Sequence, residues 1–210
     1  MTPIQSKPMI DVVRDDGIVL KRRTQEMRSA AMRTKLIEAT LDALHGDGYF
    51  RTTLKDIASR AGVSRGALMH HFNSKDDLIA HAIDHMLKDA TIEISSLSES
   101  VNNGALNFES FLDRLWHMFS GRLMFVTLEH VNESRHNEIL HMKLVPLVKD
   151  FHEALDRIWR IFFDESKLKS GTVSAALNAT LCFLRGMAVQ MILRDDPAYY
   201  RCLLVLWRKQ

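Results

Sequence analysis

The run from Leu54 to Phe72 combines polar, basic and very small residues in an order that suits hydrogen bonding to DNA. Arg65 can donate two parallel hydrogen bonds to a guanine edge or to a phosphate, and the sequence leaves both open. Gly66 and Ala67 are short enough to let a helix sink into the major groove. The residues predicted to line base edges are Ser64, Arg65, Gly66, Ala67 and His70. The alternative is a helical hairpin with no role in DNA binding.

Two short helices meeting at a steep angle would present that face. Ala58 is small where the helices must approach each other, and Gly62 falls at the turn, where a positive φ is needed. The side chains predicted to form the small shared core are Ile57, Ala61, Val63, Leu68 and Phe72. The spacing therefore predicts a helix-turn-helix.

Capping residues set the limits of these helices. Thr53 with Asp56, and Ser74 with Asp77, fit the capping box, in which the hydroxyl accepts a backbone N–H and the carboxylate reaches back to the cap. Ser64 is a further N-cap candidate. The predicted helices run over about 54–61, 65–71 and 75–97.

The rest of the chain also follows helical periodicity. Gly46 and Gly48 end a first helix over about 28–45, and no strand alternation is sustained. Further helices are predicted over about 107–119, 122–133, 137–163, 171–194 and 197–208. The fold class is therefore all-α: a flexible basic-ended arm (1–25), a three-helix helix-turn-helix domain (26–75) and a helical effector-binding and dimerisation domain (76–210).

Charge is distributed unevenly along these 210 residues, whose formal net charge is +2. Residues 21–75 contain eleven Lys and Arg against five Asp and Glu, whereas residues 76–210 contain fifteen against eighteen. Positive charge thus coincides with the predicted DNA reader. Lys21, Arg22 and Arg23, with Arg28, could follow a phosphate strand or enter a minor groove, or form a solvated tail.

The run from about 28 to 78 resembles the DNA-binding domain of TetR-type repressors. The resemblance lies in Gly46 to Tyr49, Thr53, Ile57-Ala58, Ala61 to Ser64, Gly66, Leu68, His71-Phe72, Lys75 and Leu78. It implies a homodimer and a second helical domain that binds a small molecule. It also implies that Thr53 and Lys75 bind phosphate and that His71 lies against the DNA backbone. The family usually has a Tyr that contacts phosphate where this chain has Met69, which cannot donate that hydrogen bond.

The second domain offers a candidate dimer face. The segment 171–194 is apolar nearly all round, so it must be covered on more than one side, by its own domain and by a partner or as the central helix of a monomer. The predicted dimer interface consists of Val173, Leu177, Leu181, Leu184, Leu203, Leu206 and Trp207.

A pocket for a largely apolar effector is predicted in the same domain, although large side chains at helical spacing are also typical of plain core. Its candidate residues are Trp116, His117, Phe119, Arg122, Phe125 and Met187.

Other functional classes find little support in the sequence. His81 and His85 share a helical face but lack a third ligand, so no metal is predicted. Neither a phosphate loop nor a nucleophile elbow is present, which argues against an enzyme, and no cofactor is predicted. The most apolar stretch, Gly171 to Leu184, is too short to cross a membrane, and two cysteines in apolar surroundings with no signal peptide indicate the cytoplasm.

The pattern as a whole predicts a transcriptional repressor that a small-molecule effector releases from its palindromic DNA operator. An activator with the same DNA reader, and a ligand-binding protein with a vestigial reader, are the alternatives.

Overall fold

The computed structural model describes residues 14–162 and 171–208, which form nine α-helices and no β-strand. They are α1 (Arg14–Arg51), α2 (Leu54–Arg60), α3 (Arg65–His71), α4 (Lys75–Asn102), α5 (Phe108–Phe119), α6 (Arg122–Glu133), α7 (Glu138–Phe162), α8 (Thr172–Met191) and α9 (Pro197–Trp207). The all-α prediction is confirmed. The first helix was predicted to end at about residue 45, but α1 continues through Gly46 to Arg51 and is interrupted only at Gly48, whose φ and ψ are not helical.

Two buried clusters organise these helices. The smaller one joins α1, α2, α3 and the first turn of α4, and contains Leu36, Ala39, Ala43, Ile57, Ala58, Ala61, Leu68, Phe72 and Leu78. The larger one lies among α4 to α9 and also takes in Leu41, Leu44 and Tyr49 of the first helical region. Helices α1 and α4 thus contribute buried residues to both cores and connect the helix-turn-helix to the second domain.

The first helix begins earlier than predicted. Residues 1–13 lie outside the described part of the chain, but α1 starts at Arg14, so residues 14–25 are helical and not an arm. Residues 14–25 contain no proline, and Arg14, Leu20, Lys21, Arg22 and Arg23 among them are good helix formers. The side chains of Lys21, Arg22 and Arg23 lie outside the description.

Helix α8 corrects the estimate that the apolar stretch is too short to cross a bilayer. Apolar residues continue beyond Arg185, and Thr172–Met191 is long and apolar enough, by length and composition alone, to span a membrane. In the fold one side of α8 packs into the larger cluster, as core helices of the same composition do.

Candidate functional site

Helices α2 and α3 form the predicted helix-turn-helix. Ala58 is 3% exposed at their contact, and Gly62 has a φ of 61°, a value that Gly adopts at little cost. The Val63 N–H donates to the Ala58 carbonyl at 2.9 Å, which closes the turn. Ile57, Ala61, Leu68 and Phe72 are buried as predicted, and Val63 is half-buried.

All three predicted N-caps are formed. The hydroxyls of Thr53, Ser64 and Ser74 each accept the backbone N–H three residues later, at 3.2, 3.1 and 3.0 Å. The carboxylates of Asp56 and Asp77 do not accept the backbone N–H of the cap residue, as the predicted capping box requires. Asp56 accepts from the Thr53 hydroxyl itself, and Asp77 accepts from the backbone N–H of Asn73, one residue before the cap. The caps fix the first turns of α2, α3 and α4, worth about 1 kcal/mol each.

The outward face of α3 is left free by this packing. Ser64, Arg65, Gly66 and His70 are exposed, and Ala67 is half-buried. Among the described residues none forms an ion pair with Arg65, so its guanidinium is available for DNA. Thr53 and Arg28 are also exposed, on the turn before α2 and on α1. Met69 is 40% exposed on the same helix as Arg65.

The end of α3 is fixed by Arg33, which the sequence did not single out. Its Nη1 donates to the carbonyl of His71 at 2.8 Å, and its guanidinium lies 4.5 Å from the Phe72 ring centroid. Burial and then the nearby His70 and Arg33 lower the pKa of His71, which favours a neutral imidazole. A neutral imidazole retains one N–H donor for a phosphate.

Lys75, which was predicted to bind phosphate, is half-buried and donates a hydrogen bond within the protein. Its Nζ donates to the Tyr49 carbonyl at 2.5 Å and lies 4.0 Å from the centroid of the Tyr49 ring. Burial is the main cause that lowers the pKa of Lys75. Its ammonium therefore joins the start of α4 to the turn at Gly48 and Tyr49 near the end of α1.

That turn is also attached to the second domain. The Tyr49 N–H donates to Glu129 Oε1 at 2.7 Å, and the Tyr49 hydroxyl interacts with Asp76 at 3.1 Å and with the Asn137 amide at 3.2 Å. Burial followed by Asp76 raises the pKa of Tyr49 to about 12, so its hydroxyl stays protonated. We call Gly48, Tyr49, Lys75 and Glu129 the junction.

Arg122 reinforces this link instead of lining a pocket. Its Nη1 lies 3.2 Å from Glu38 and 3.2 Å from Asp42, both on α1. Glu38 also lies near His85, which with Asp89 completes a group of three possible metal ligands. A metal ion there would have to compete with the Arg122 guanidinium for Glu38. His81 takes no part in this group and contacts Asp77 instead.

The predicted effector pocket is wrong in most of its residues. Trp116 stacks on Tyr200 with a centroid distance of 5.8 Å, Phe125 faces His45 at 6.1 Å, and His117 is exposed. Met187 is buried in the larger core. Helical spacing identified large side chains but not the neighbours that would fill the space beside them. Among the six candidates, Phe119 alone lines a described cavity, whose other lining residues are Leu87, Leu123, Met124, Thr127, Val148, Phe151 and Arg185.

The predicted dimer residues on α8 are also wrong, because they face their own protomer. Val173, Leu177, Leu181 and Leu184 are at most 4% exposed in a single chain. On α9, Leu203 is half-buried, and Trp207 stacks on Phe183 at 4.8 Å. Leu206 remains exposed, at 59%.

The opposite sides of α8 and α9 form a free surface, which we call the small-residue stripe. On α8 it repeats every three or four residues, the spacing of a helix-packing face. Both cysteines are free and exposed on it. The stripe consists of Ala175, Ala179, Cys182, Gly186, Val189, Cys202, Val205 and Leu206.

The fold and the α3 surface define a helix-turn-helix protein with an attached helical domain. The family described as "Bacterial regulatory proteins, tetR family" matches residues 36–82. HTH-type transcriptional regulator TtgR of Pseudomonas putida is 36% identical over 129 residues, which cover 58% of this chain and 54% of that protein. The chain therefore spans about half the length of this curated relative.

Solved structures show the same fold over most of the chain. A TetR transcription regulator from Haloarcula marismortui superposes with a TM-score of 0.67 at 20% identity, covering 86% of this chain and 96% of that one. The regulator FadR from Bacillus subtilis, solved with stearoyl-CoA, gives 0.63 at 19% identity, covering 83% and 96%. Residues 36–82 thus match the DNA-binding domain of the TetR family, the solved structures share the fold, and these relatives are named as regulators, not as enzymes.

Proposed function

We propose that this protein is a dimeric transcriptional repressor that binds a palindromic DNA operator and is released from it by a small-molecule effector. The observation that carries the proposal is the outward face of α3, where Arg65 has no described acidic partner and Gly66 leaves room for close approach. The TetR-type match over residues 36–82 and the name of the P. putida relative support the DNA-binding role. Such a regulator acts on DNA in the cytoplasm.

The small-residue stripe is the surface we propose for the dimer. Small residues allow two helices to approach closely, and exposed Val189 and Leu206 supply apolar area at the same face. A two-fold dimer would present two copies of α3 to successive half-sites of the operator, about 34–36 Å apart.

Operator binding is tested by titrating the purified protein into the intergenic DNA beside its own gene at several salt concentrations. Arg65→Ala should weaken specific binding by about 1–3 kcal/mol if Arg65 reads a base, and flatten the salt dependence if it binds phosphate. Arg114→Ala, at an exposed arginine of α5, is the matched control and should bind as the wild type does. Equal binding by wild type and Arg65→Ala would contradict the proposal. A reporter on the same promoter separates repression from activation.

We further propose that the effector acts by changing the distance between the two α3 helices of the dimer. Leu78 at the start of α4 lies in the smaller core, while Ile83 and Leu87 of the same helix lie in the larger one. A shift of α4 therefore reaches both domains.

Distances between spin labels at Met69→Cys, in a variant with Cys182→Ser and Cys202→Ser, would measure this change in the dimer. The exposed native cysteines must be replaced because they would also be labelled. The same distance with and without an effector that releases DNA would refute this mechanism.

A further inference from the structure

Arg185 is a charged side chain on the wall of an otherwise mainly apolar cavity inside the second domain. The other described lining residues are Thr127 and six apolar side chains from α4 to α7. The guanidinium lies 5.8 Å from the centroid of the Phe119 ring, so its surroundings on this side are aromatic. A cation in such a place needs a compensating partner.

The partner that Arg185 has within the described chain carries no negative charge. Its Nη2 lies 3.1 Å from Nε2 of His152. Burial and then Arg185 itself lower the pKa of His152, so the imidazole is neutral and accepts the hydrogen bond. Among the described residues no carboxylate forms an ion pair with Arg185, whose own pKa is lowered by burial.

Arg185 lines an interior cavity, and its hydrogen-bond partner His152 lines a groove on the surface. The cavity has a volume of about 30 Å³, enough for a water molecule or one small chemical group. Val148 also lines a groove of about 480 Å³ on the outside of α6 and α7, with Val131, Leu144 and Val145 along it. His152 lines that groove too, so a group that enters beside His152 meets the guanidinium behind it.

We infer that the effector is an amphipathic carboxylate, whose anionic group pairs with Arg185 while its apolar body lies in the groove on the outside of α6 and α7. The role of this ligand as an effector rests on the proposed function, whereas the anion site itself does not. A carboxylate matches the planar fork of arginine and supplies the missing charge. A neutral ligand would leave the Arg185 guanidinium without a compensating charge, and a cationic ligand would be repelled by it.

Calorimetric titration of the full chain without DNA tests the site with two matched pairs, decanoate against decanol and cinnamate against cinnamamide. Each acid should bind the wild type with a Kd at least about tenfold lower than its neutral partner. Arg185→Gln should remove that preference, Arg185→Lys should keep part of it, and the surface control Arg114→Gln should keep all of it. Circular dichroism establishes that each variant is folded.

Three results would overturn the inference: no binding of any of the four compounds, equal binding of acid and neutral partner, or a preference that survives in Arg185→Gln. If Arg185→Gln does not fold, the wild type and Arg185→Lys still decide, because a carboxylate bound elsewhere would not respond to the lysine. Adding the bound acid to the protein on its operator separates the two proposals. Binding without release keeps the site and removes its role as an effector site.

Discussion

Replacing Gly48 by alanine adds one methyl group and should show how much the junction contributes to stability. Its φ of 77° and ψ of 171° belong to a region that is open almost only to glycine. A Cβ there would lie 2.7 Å from Glu129 Oε1, the atom that accepts the Tyr49 N–H. Gly48→Ala therefore strains the backbone and pushes away the carboxylate that links α6 to the turn before α2.

The two effects have separate magnitudes. Holding a residue other than glycine in such a conformation costs about 1–3 kcal/mol. Losing a hydrogen bond to a charged group costs about 1.5–3 kcal/mol, and the lower end applies because Glu129 is half-buried. We expect the free energy of unfolding of Gly48→Ala to fall by about 3 kcal/mol.

Urea unfolding followed by circular dichroism measures this loss, and Gly46→Ala is its control. Gly46 lies in the helical part of α1, and a Cβ at this residue would have no neighbouring atom within 4 Å, so alanine should be neutral or stabilise by about 0.5–1 kcal/mol. The double variant Gly48→Ala with Glu129→Ala should show no further loss from the displaced carboxylate. A free energy of unfolding of Gly48→Ala within about 0.5 kcal/mol of the wild type, or an equal loss in Gly46→Ala, would contradict this prediction.

Three further measurements test other parts of the molecule. Val189→Glu on the small-residue stripe should shift the protein to monomer in sedimentation velocity. Ile92→Glu, at an exposed apolar residue of α4, is the control and should leave the oligomeric state unchanged. The same oligomeric state in both variants would rule out the stripe as the dimer interface. Met69→Tyr should tighten operator binding about two- to tenfold by adding one phosphate hydrogen bond, and unchanged binding would show that this position does not face phosphate. Burial lowers the pKa of His130, so below about pH 6.5 the unfolded chain takes up a proton that the folded chain does not, and stability falls as the pH falls. His130→Phe should reduce that slope in urea titrations, and an unchanged slope would contradict it.

Local signals explain how far the sequence could predict the fold. The hydroxyls of Thr53, Ser64 and Ser74 begin helices where predicted because capping depends on neighbours three residues away. Burial of Leu68 and Phe72 follows from helical periodicity in the same way. The arm prediction failed because it used the absence of apolar periodicity, whereas Lys and Arg can continue a helix without any apolar face.

The faces of α8 could not be assigned from the sequence. A helix that is apolar all round does not show which side meets its own domain. The structure places the larger side chains, such as Leu177 and Leu181, in the protomer core, where each buries more area. It leaves Ala179 and Gly186 outside, where their small size suits close approach by another helix.

The junction lay beyond sequence reasoning because its contacts join distant parts of the chain; Tyr49 and Glu129 are 80 residues apart. Its position nevertheless connects the two proposed sites. Leu123 and Thr127 of α6 line the cavity beside Arg185, and Glu129 lies about half a turn further along the same helix. A ligand that displaces α6 must therefore move the carboxylate that holds the Tyr49 backbone, and with it the turn from which α2 begins. Loss of this one hydrogen bond should weaken the response to effector more than it weakens operator binding without effector.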